Sequence, residues 1–304
     1  VISQTRATLI GLLAIVLWSA IVGLIKSVSE SFGPVGGAAL IYSCSAALLI
    51  FTVGFPRVST FPRRYLVTGS ILFVSYEICL SLSLGFTHSG RQAIEVGMVN
   101  YLWPGMTIVL AAIVNRQKTS PLIIPGVLLA IMGICRVLGG EQTFSLSEMG
   151  NNIMDNPLSY GLAFCGAAIW AVYCVATKKI AQGSNGITLF FILTALTLWV
   201  KFLLSPQPAF TVSPQALLAL ALSAMAMGLG YAAWNTGILH GNVNLLAAVS
   251  YFIPILSSVL AAFVLSSPLT LPFWQGAAMV SLGSLLCWWS TRTPADNKTA
   301  REIS

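Results

Sequence analysis

The sequence predicts an all-α integral membrane protein with ten transmembrane helices, built as two inverted five-helix repeats around a central cavity. Three observations predict it. Of 304 residues, 57% are hydrophobic and only 8% are charged, whereas soluble domains carry roughly 25% charged residues. The apolar runs have spanning length, about 20 residues, and lack the ten-residue alternation of barrel strands. The two halves of the chain also echo one another. This composition argues against soluble enzymes and nucleic-acid binders.

The spans are expected at 7–28, 34–55, 63–85, 91–114, 121–138, 156–178, 185–204, 213–238, 242–265 and 270–291. The first run, Ala7–Ile25, has no small-x-small cleavage site followed by polar sequence, so it reads as a retained helix and not a signal peptide. Residues 1–138 form the first repeat and 139–155 an outward-facing hydrophilic linker with Glu141, Glu148 and Asp155. Residues 156–291 form the second, inverted repeat, and 292–304 a polar cytoplasmic tail.

Charge sets the orientation. Arg6, Arg57, Arg63, Arg64, Arg116, Lys118, Lys178, Lys179, Arg292, Lys298 and Arg301 fall on the side of the termini, against Lys26, Arg91, Arg136 and Lys201 on the other. The positive-inside rule then places both termini in the cytoplasm. The six cysteines (Cys44, Cys79, Cys135, Cys165, Cys174, Cys287) all lie in apolar runs. None has metal-ligand spacing, so no metal site and no cofactor are expected.

The internal repeat is read from five pairs in one order, at offsets of 147 to 152 residues. Trp18 and Lys26 match Trp170 and Lys178, and Tyr101-x-x-Pro104 matches Tyr251-x-x-Pro254. Val109–Ala112 matches Val259–Ala262, Ser120-Pro-Leu matches Ser267-Pro-Leu, and Gly126 with Gly133 matches Gly276 with Gly283. Five spans return the chain on the far side of the bilayer, so the second copy inserts upside down. Inverted repeats mark secondary transporters, whose sites lie at the repeat interface near the midplane.

Proline removes a backbone donor and crowds the carbonyl one turn earlier. In lipid such a break is tolerated where it faces protein or a wet cavity. Pro104 with Gly105, and Pro254, are therefore expected as paired flexible gating points, each with a tyrosine three residues back. Glu77 and Glu95 sit inside apolar segments, where a charge is a functional hypothesis by default. Arg91, four residues before Glu95 on the same face, and nearby His88 suggest an ion pair holding spans three and four together, while a proton site or an ammonium contact is the other reading. Lys26 and Lys178 read as snorkelling anchors, Trp288 and Trp289 as interfacial belt residues, and His240 as a loop residue.

The stretches VNYLWPGM (Val99–Met106), TLIGLLAIVLWSAIVGLIKSVSE, VSYEICLSLSLG (Val74–Gly85) and YAAWNTGILHGNVN (Tyr231–Asn244) resemble the EamA-type drug/metabolite transporter superfamily. They are most similar to its bacterial inner-membrane aromatic amino acid exporters. The resemblance covers about residues 4–292. It implies export of aromatic amino acids, and of other neutral ones, from a central cavity of the inner membrane without ATP. No G-x-x-x-x-G-K-[ST] loop is present.

The residue chemistry agrees. Trp18, Tyr42, Tyr76, Glu77, Asn100, Tyr101, Trp103, Trp170, Tyr173, Tyr231, Trp234, Asn235 and Tyr251 are the expected substrate-binding residues, and no catalytic residue is expected. Rings stack on rings, an ammonium sits over aromatic faces, and Asn100 or Asn235 can take a carboxylate. Spans one, three, four, six, eight and nine are expected to surround the cavity. Phosphorylated cargo would require inward Arg or Lys clusters, which the chain lacks. Polyspecific efflux of small organic cations or other metabolites on the same fold could use the same walls and stays open. The partners expected are a small-molecule substrate and the lipid bilayer, not nucleic acid, with the chain acting as a monomer.

Overall fold

The computed structural model describes residues 2–114, 120–139, 145–206 and 208–291. Arg116, Lys118, Glu141, the tail 292–304 and the side chain of Lys178 lie outside the described residues. Among the described residues every regular element is helical.

The first expected span is two helices, α1 (Gln4–Ser19) and α2 (Ile21–Phe32), bent by 43° at Ala20. Neither proline nor glycine causes this bend. Ser19 donates its hydroxyl to the Ile15 carbonyl at 2.7 Å, a back-bond that bends helices. α3 (Pro34–Thr52) follows, then a π turn over Tyr65–Gly69 that runs into α4 (Ser70–Gly85). α5 (Gly90–Asn100) and α6 (Trp103–Val114) make one interrupted span. α7 (Ile123–Leu138) closes the first half.

The linker carries a short helix, α8 (Leu146–Asp155), whose Met149 and Ile153 pack onto the core. Its apolar spacing was concealed by the surrounding hydrophilic residues. The second half holds α9 (Pro157–Ile180), α10 (Ile187–Leu204), α11 (Pro214–His240), the pair α12 (Val243–Ser250) and α13 (Ile253–Val264), and α14 (Leu271–Ser290). Helix starts follow local chemistry. Ser89, Asn156, Ser213 and Asn242 each accept from the backbone N–H three residues on, and Pro34, Pro157 and Pro214 open helices, where their missing donor is not needed.

Among the described residues, six helices or helix runs are long and apolar enough to cross a membrane: 34–52, 63–85, 90–114, 157–177, 187–204 and 214–237. The bent α1–α2 pair makes a seventh, and α7 and α13 are shorter apolar helices. Their outward faces present Phe51, Ile71, Leu203 and Phe263, a surface suited to hydrocarbon and not to water.

The two breaks fall at equivalent places. α5 ends at Asn100 and α12 at Ser250, each the residue whose carbonyl the following proline leaves without an i→i−4 donor. Tyr101–Leu102 and Tyr251–Phe252 form the joints, closed by Leu102 N–H to Val99 O at 3.2 Å and Phe252 N–H to Val249 O at 3.0 Å.

α7 and α14 form the tightest seam. A Cβ on Gly126 would meet the Gly283 carbonyl oxygen at 2.9 Å, and one on Gly283 the Gly126 oxygen at 2.6 Å. Gly133 and Gly276 face each other the same way, at 2.7 and 2.6 Å. Backbones this close require glycine.

Candidate functional site

A cavity of about 170 Å³ lies in the middle of the bundle. Its size is on the scale of one aromatic ring, since an apolar cavity of about 150 Å³ takes benzene. The bend between α1 and α2 brings Trp18, Ile21 and Val22 to its wall. α4 contributes Tyr76 and Leu80, and α5 Gly97 and Asn100. The first joint supplies Tyr101, α6 Trp103, α9 Trp170 and Cys174, α11 Met227, Tyr231 and Trp234, and α13 Ile253. These belong to the six spans expected to surround it.

The rings are ordered. Trp170 stacks on Tyr76, with centroids 4.5 Å apart and planes at 30°, and on Tyr173, at 4.8 Å and 14°. Trp18 lies 5.0 Å from Tyr231, edge to face, and 5.2 Å from Trp234. Gly230 makes room for it, because a Cβ there would come within 2.7 Å of the indole nitrogen.

Two polar atoms in this wall are buried without a partner: the Nε1–H of Trp18, a donor, and Oδ1 of Asn100, an acceptor. Asn100 is 4% exposed. Unpaired buried polar groups are expensive, about 1–3 kcal/mol each, so two in one cavity wall point to a ligand that satisfies them.

Of the residues named from the sequence, Trp18, Tyr76, Asn100, Tyr101, Trp103, Trp170, Tyr231 and Trp234 line the cavity. Tyr42 and Glu77 do not. They sit behind the wall, both fully buried, where Glu77 accepts from Tyr42 at 2.5 Å and from Tyr231 at 2.6 Å. Tyr173 forms a second ring layer behind Trp170. Tyr251 turns away to Trp288, 6.2 Å between centroids, and Asn235 is outside the lining. Pro104 and Pro254 are buried in the first turns of α6 and α13, and Gly105 follows Pro104. None of the three lines the cavity.

Ile21, Val22, Leu80, Gly97, Cys174, Met227 and Ile253 also line the wall. Most stand three or four residues from a lining aromatic: Ile21 and Val22 from Trp18, Leu80 from Tyr76, Gly97 from Tyr101, Cys174 from Trp170 and Met227 from Tyr231. Helical periodicity around each ring was the signal that could have found them.

The charged residues sort differently. Glu95 accepts from Arg91 at 3.1 Å and from the Tyr160 hydroxyl of α9 at 3.0 Å; this ion pair lies within α5 and does not hold the third and fourth spans together. His88 lies 3.5 Å from Asp155. Lys26 is not a snorkelling anchor. It is 5% exposed, and its ammonium donates to the Thr87 carbonyl at 2.5 Å and lies 3.6 Å from Glu30. The Thr87 carbonyl, in the turn between α4 and α5, holds it inward.

A central cavity enclosed by helices of spanning length, two of them interrupted, is the build of a small-molecule membrane transporter. The comparisons with known proteins agree. The family described as EamA-like transporter matches residues 157–289. A Salmonella typhimurium protein named aromatic amino acid exporter YddG is 59% identical over 290 residues, covering 95% of this chain and 99% of that one. The Escherichia coli strain K12 protein of the same name is 60% identical with the same coverage. A crystal structure 23% identical covers 95% of this chain and 98% of its own with a TM-score of 0.67, so it shares the fold. The chain belongs to the EamA-like transporter family. It is a multi-pass membrane transporter and not an enzyme.

Proposed function

We propose that this chain exports aromatic amino acids, and more weakly other neutral ones, across the bacterial inner membrane by alternating access. The observation that carries the reading is the aromatic cavity with one free donor and one free acceptor in its wall. The substrate ring lies against Trp170 and Tyr76, the carboxylate takes the Trp18 indole N–H, and the ammonium takes Asn100 Oδ1. Relatives named as aromatic amino acid exporters at 59% and 60% identity support the substrate class.

The reading includes ten spans in two inverted repeats, 1–138 and 156–291, joined by an outward linker at 139–155. The glycine seam supports it. Gly126 is equivalent by sequence to Gly276, and Gly133 to Gly283, yet Gly126 meets Gly283 and Gly133 meets Gly276. That exchange of partners is what a two-fold axis produces. Both termini face the cytoplasm, as the basic residues suggest. The reading takes the working unit to be a monomer, which the lining of the cavity by one chain supports, with a small-molecule substrate and the bilayer as its partners. Pro104 with Gly105, and Pro254, are the joints on which the halves rock.

The test is exchange in proteoliposomes loaded with unlabelled phenylalanine, following uptake of labelled phenylalanine. Trapped phenylalanine is expected to drive uptake, and tryptophan to compete better than threonine. No exchange from folded protein, together with quenching of the cavity tryptophans by a cationic dye, would turn the assignment to organic cations.

A further inference from the structure

The connection between α3 and the π turn that precedes α4 carries three arginines, Arg57, Arg63 and Arg64, all exposed. None of the ion pairs among the described residues involves them. The sequence offers no acid nearby. No Asp or Glu falls between Glu30 and Glu77, and none between Asp155 and Asp296. The second gap matters because the α9–α10 turn lies beside this connection: the Gly186 N–H donates to the Tyr65 hydroxyl at 2.9 Å. Lys179, exposed near the end of α9, adds a fourth cation at that end of the bundle.

Apolar side chains of the same connection also face outward. Phe51 is 87% exposed and Phe55 74%, with Val58 exposed beside them. Phe61, by contrast, turns in against Tyr65, with ring centroids 6.1 Å apart. The helix run on each side has spanning length, so the connection lies at the level where hydrocarbon gives way to water. Water has no use for exposed phenylalanine, and lipid tails have none for guanidinium. Rings and cations side by side suit the headgroup boundary, where both are satisfied. All three cations of the connection are arginine, whose planar fork takes two phosphate oxygens at once.

We propose that this surface binds an anionic phospholipid, with its phosphodiester on Arg57, Arg63 and Arg64 and its acyl chains along Phe51 and Phe55, and that the bound lipid speeds transport. Binding stands on the surface alone, while the effect on transport rests on the export reading above. The link between the two is α4. Arg63 and Arg64 open the run whose π turn, Tyr65–Gly69, leads into α4, and α4 brings Tyr76 and Leu80 to the cavity wall. A π turn is an irregular point in a helix, common where function demands one. A headgroup that ties its first residues to the bilayer holds that end in place while the rest of α4 moves with the cargo.

The test titrates the full chain in detergent with phosphatidylglycerol, or with phosphatidylcholine of the same acyl chains, and reads the unfolding temperature. Phosphatidylglycerol is expected to raise it by at least about 3 °C and phosphatidylcholine to leave it unchanged. The rise should shrink by more than about half between about 50 and about 500 mM salt. R57Q/R63Q/R64Q is expected to lose it. K201Q, which removes an exposed cation at the other end of α10, is expected to keep it. Equal responses to the two lipids, a full response in the triple variant, a loss in K201Q as large, or the same rise with inorganic phosphate alone would each overturn the site. If the triple variant does not fold, R57Q, outside both helices, replaces it and should lose at least about a third of the rise. In proteoliposomes, phenylalanine exchange should run at least about threefold faster with phosphatidylglycerol present than in phosphatidylcholine alone, and the triple variant should exchange equally in both. Equal wild-type rates would overturn the link through α4. No exchange in either lipid would overturn the export reading, and the unfolding shift would still decide the lipid site.

Discussion

Across the α7–α14 seam, Gly126 meets Gly283 and Gly133 meets Gly276, each contact repeated by its sequence counterpart. At the cavity the correspondence fails. Tyr101 lines the wall, but its counterpart Tyr251 packs on Trp288. Trp18 rests on Gly230 with a free N–H, while its counterpart Trp170 is stacked between Tyr76 and Tyr173. The bend at Ala20 has no equivalent in α9, which runs unbroken over Pro157–Ile180. Repeated contacts serve a scaffold in which either half can move against the other. A small, chiral, zwitterionic cargo has no two-fold axis, and its site gains nothing from one.

The largest effects should come from the seam. Gly283→Ala places a Cβ 2.5 Å from the Ala130 nitrogen and 2.6 Å from the Gly126 oxygen, and overpacking of this kind costs about 1–3 kcal/mol. Gly133→Ala, 2.7 Å from the Gly276 oxygen, should lower thermal stability in detergent by a comparable amount, and Gly133→Leu should leave no folded protein. Tolerance of one alanine and collapse with the other would break the symmetry of the seam.

Next come the cavity rings, where the halves should part. Trp170→Ala loses two stacking partners and should weaken phenylalanine binding about tenfold, on about 0.5–1.5 kcal/mol per ring contact. Trp18→Phe keeps a six-membered aromatic ring but removes the five-membered ring of the indole with its N–H, and so also loosens the contacts with Tyr231 and Trp234. The affinity loss should be at least about fivefold, from a hydrogen bond worth roughly 1 kcal/mol, with a lowered unfolding temperature from the lost ring volume. Tyr251→Phe should leave affinity as it was. Quenching of tryptophan fluorescence by titrated substrate measures all three. A loss with Tyr251→Phe matching that of Trp18→Phe would mean that both halves hold the cargo.

Much of this was legible because membrane helices signal themselves through composition and because each cavity aromatic interrupts an apolar run. Trp18, Asn100, Trp103 and Trp234 could be picked out as residues a lipid-facing helix has no use for. Glu77 was just as conspicuous, yet the sequence could not say that Tyr42 and Tyr231, from distant parts of the chain, would take its two oxygens and hold it behind the wall. Tyr251 misled for the opposite reason. Its motif copies that of Tyr101, but a side chain's direction at a break depends on the neighbouring helix, here α14 with Trp288. The bend at Ala20 was illegible because it comes from a serine back-bond and a tryptophan seated on Gly230, not from proline or glycine.

The smallest effects should come from the joints, which test whether the paired breaks work as a pair. Pro104→Ala restores a donor for the Asn100 carbonyl and Pro254→Ala one for Ser250. Each straightens a helix without touching the cavity wall. Substrate affinity should hold within about twofold, and turnover in the exchange assay should fall a few-fold, since hinge residues far from the cargo set the rate of opening. The two substitutions should slow exchange alike if both halves rock, and the double variant should be slower than either. If Pro104→Ala slows exchange and Pro254→Ala does not, only the first half moves, and the second break survives as packing alone.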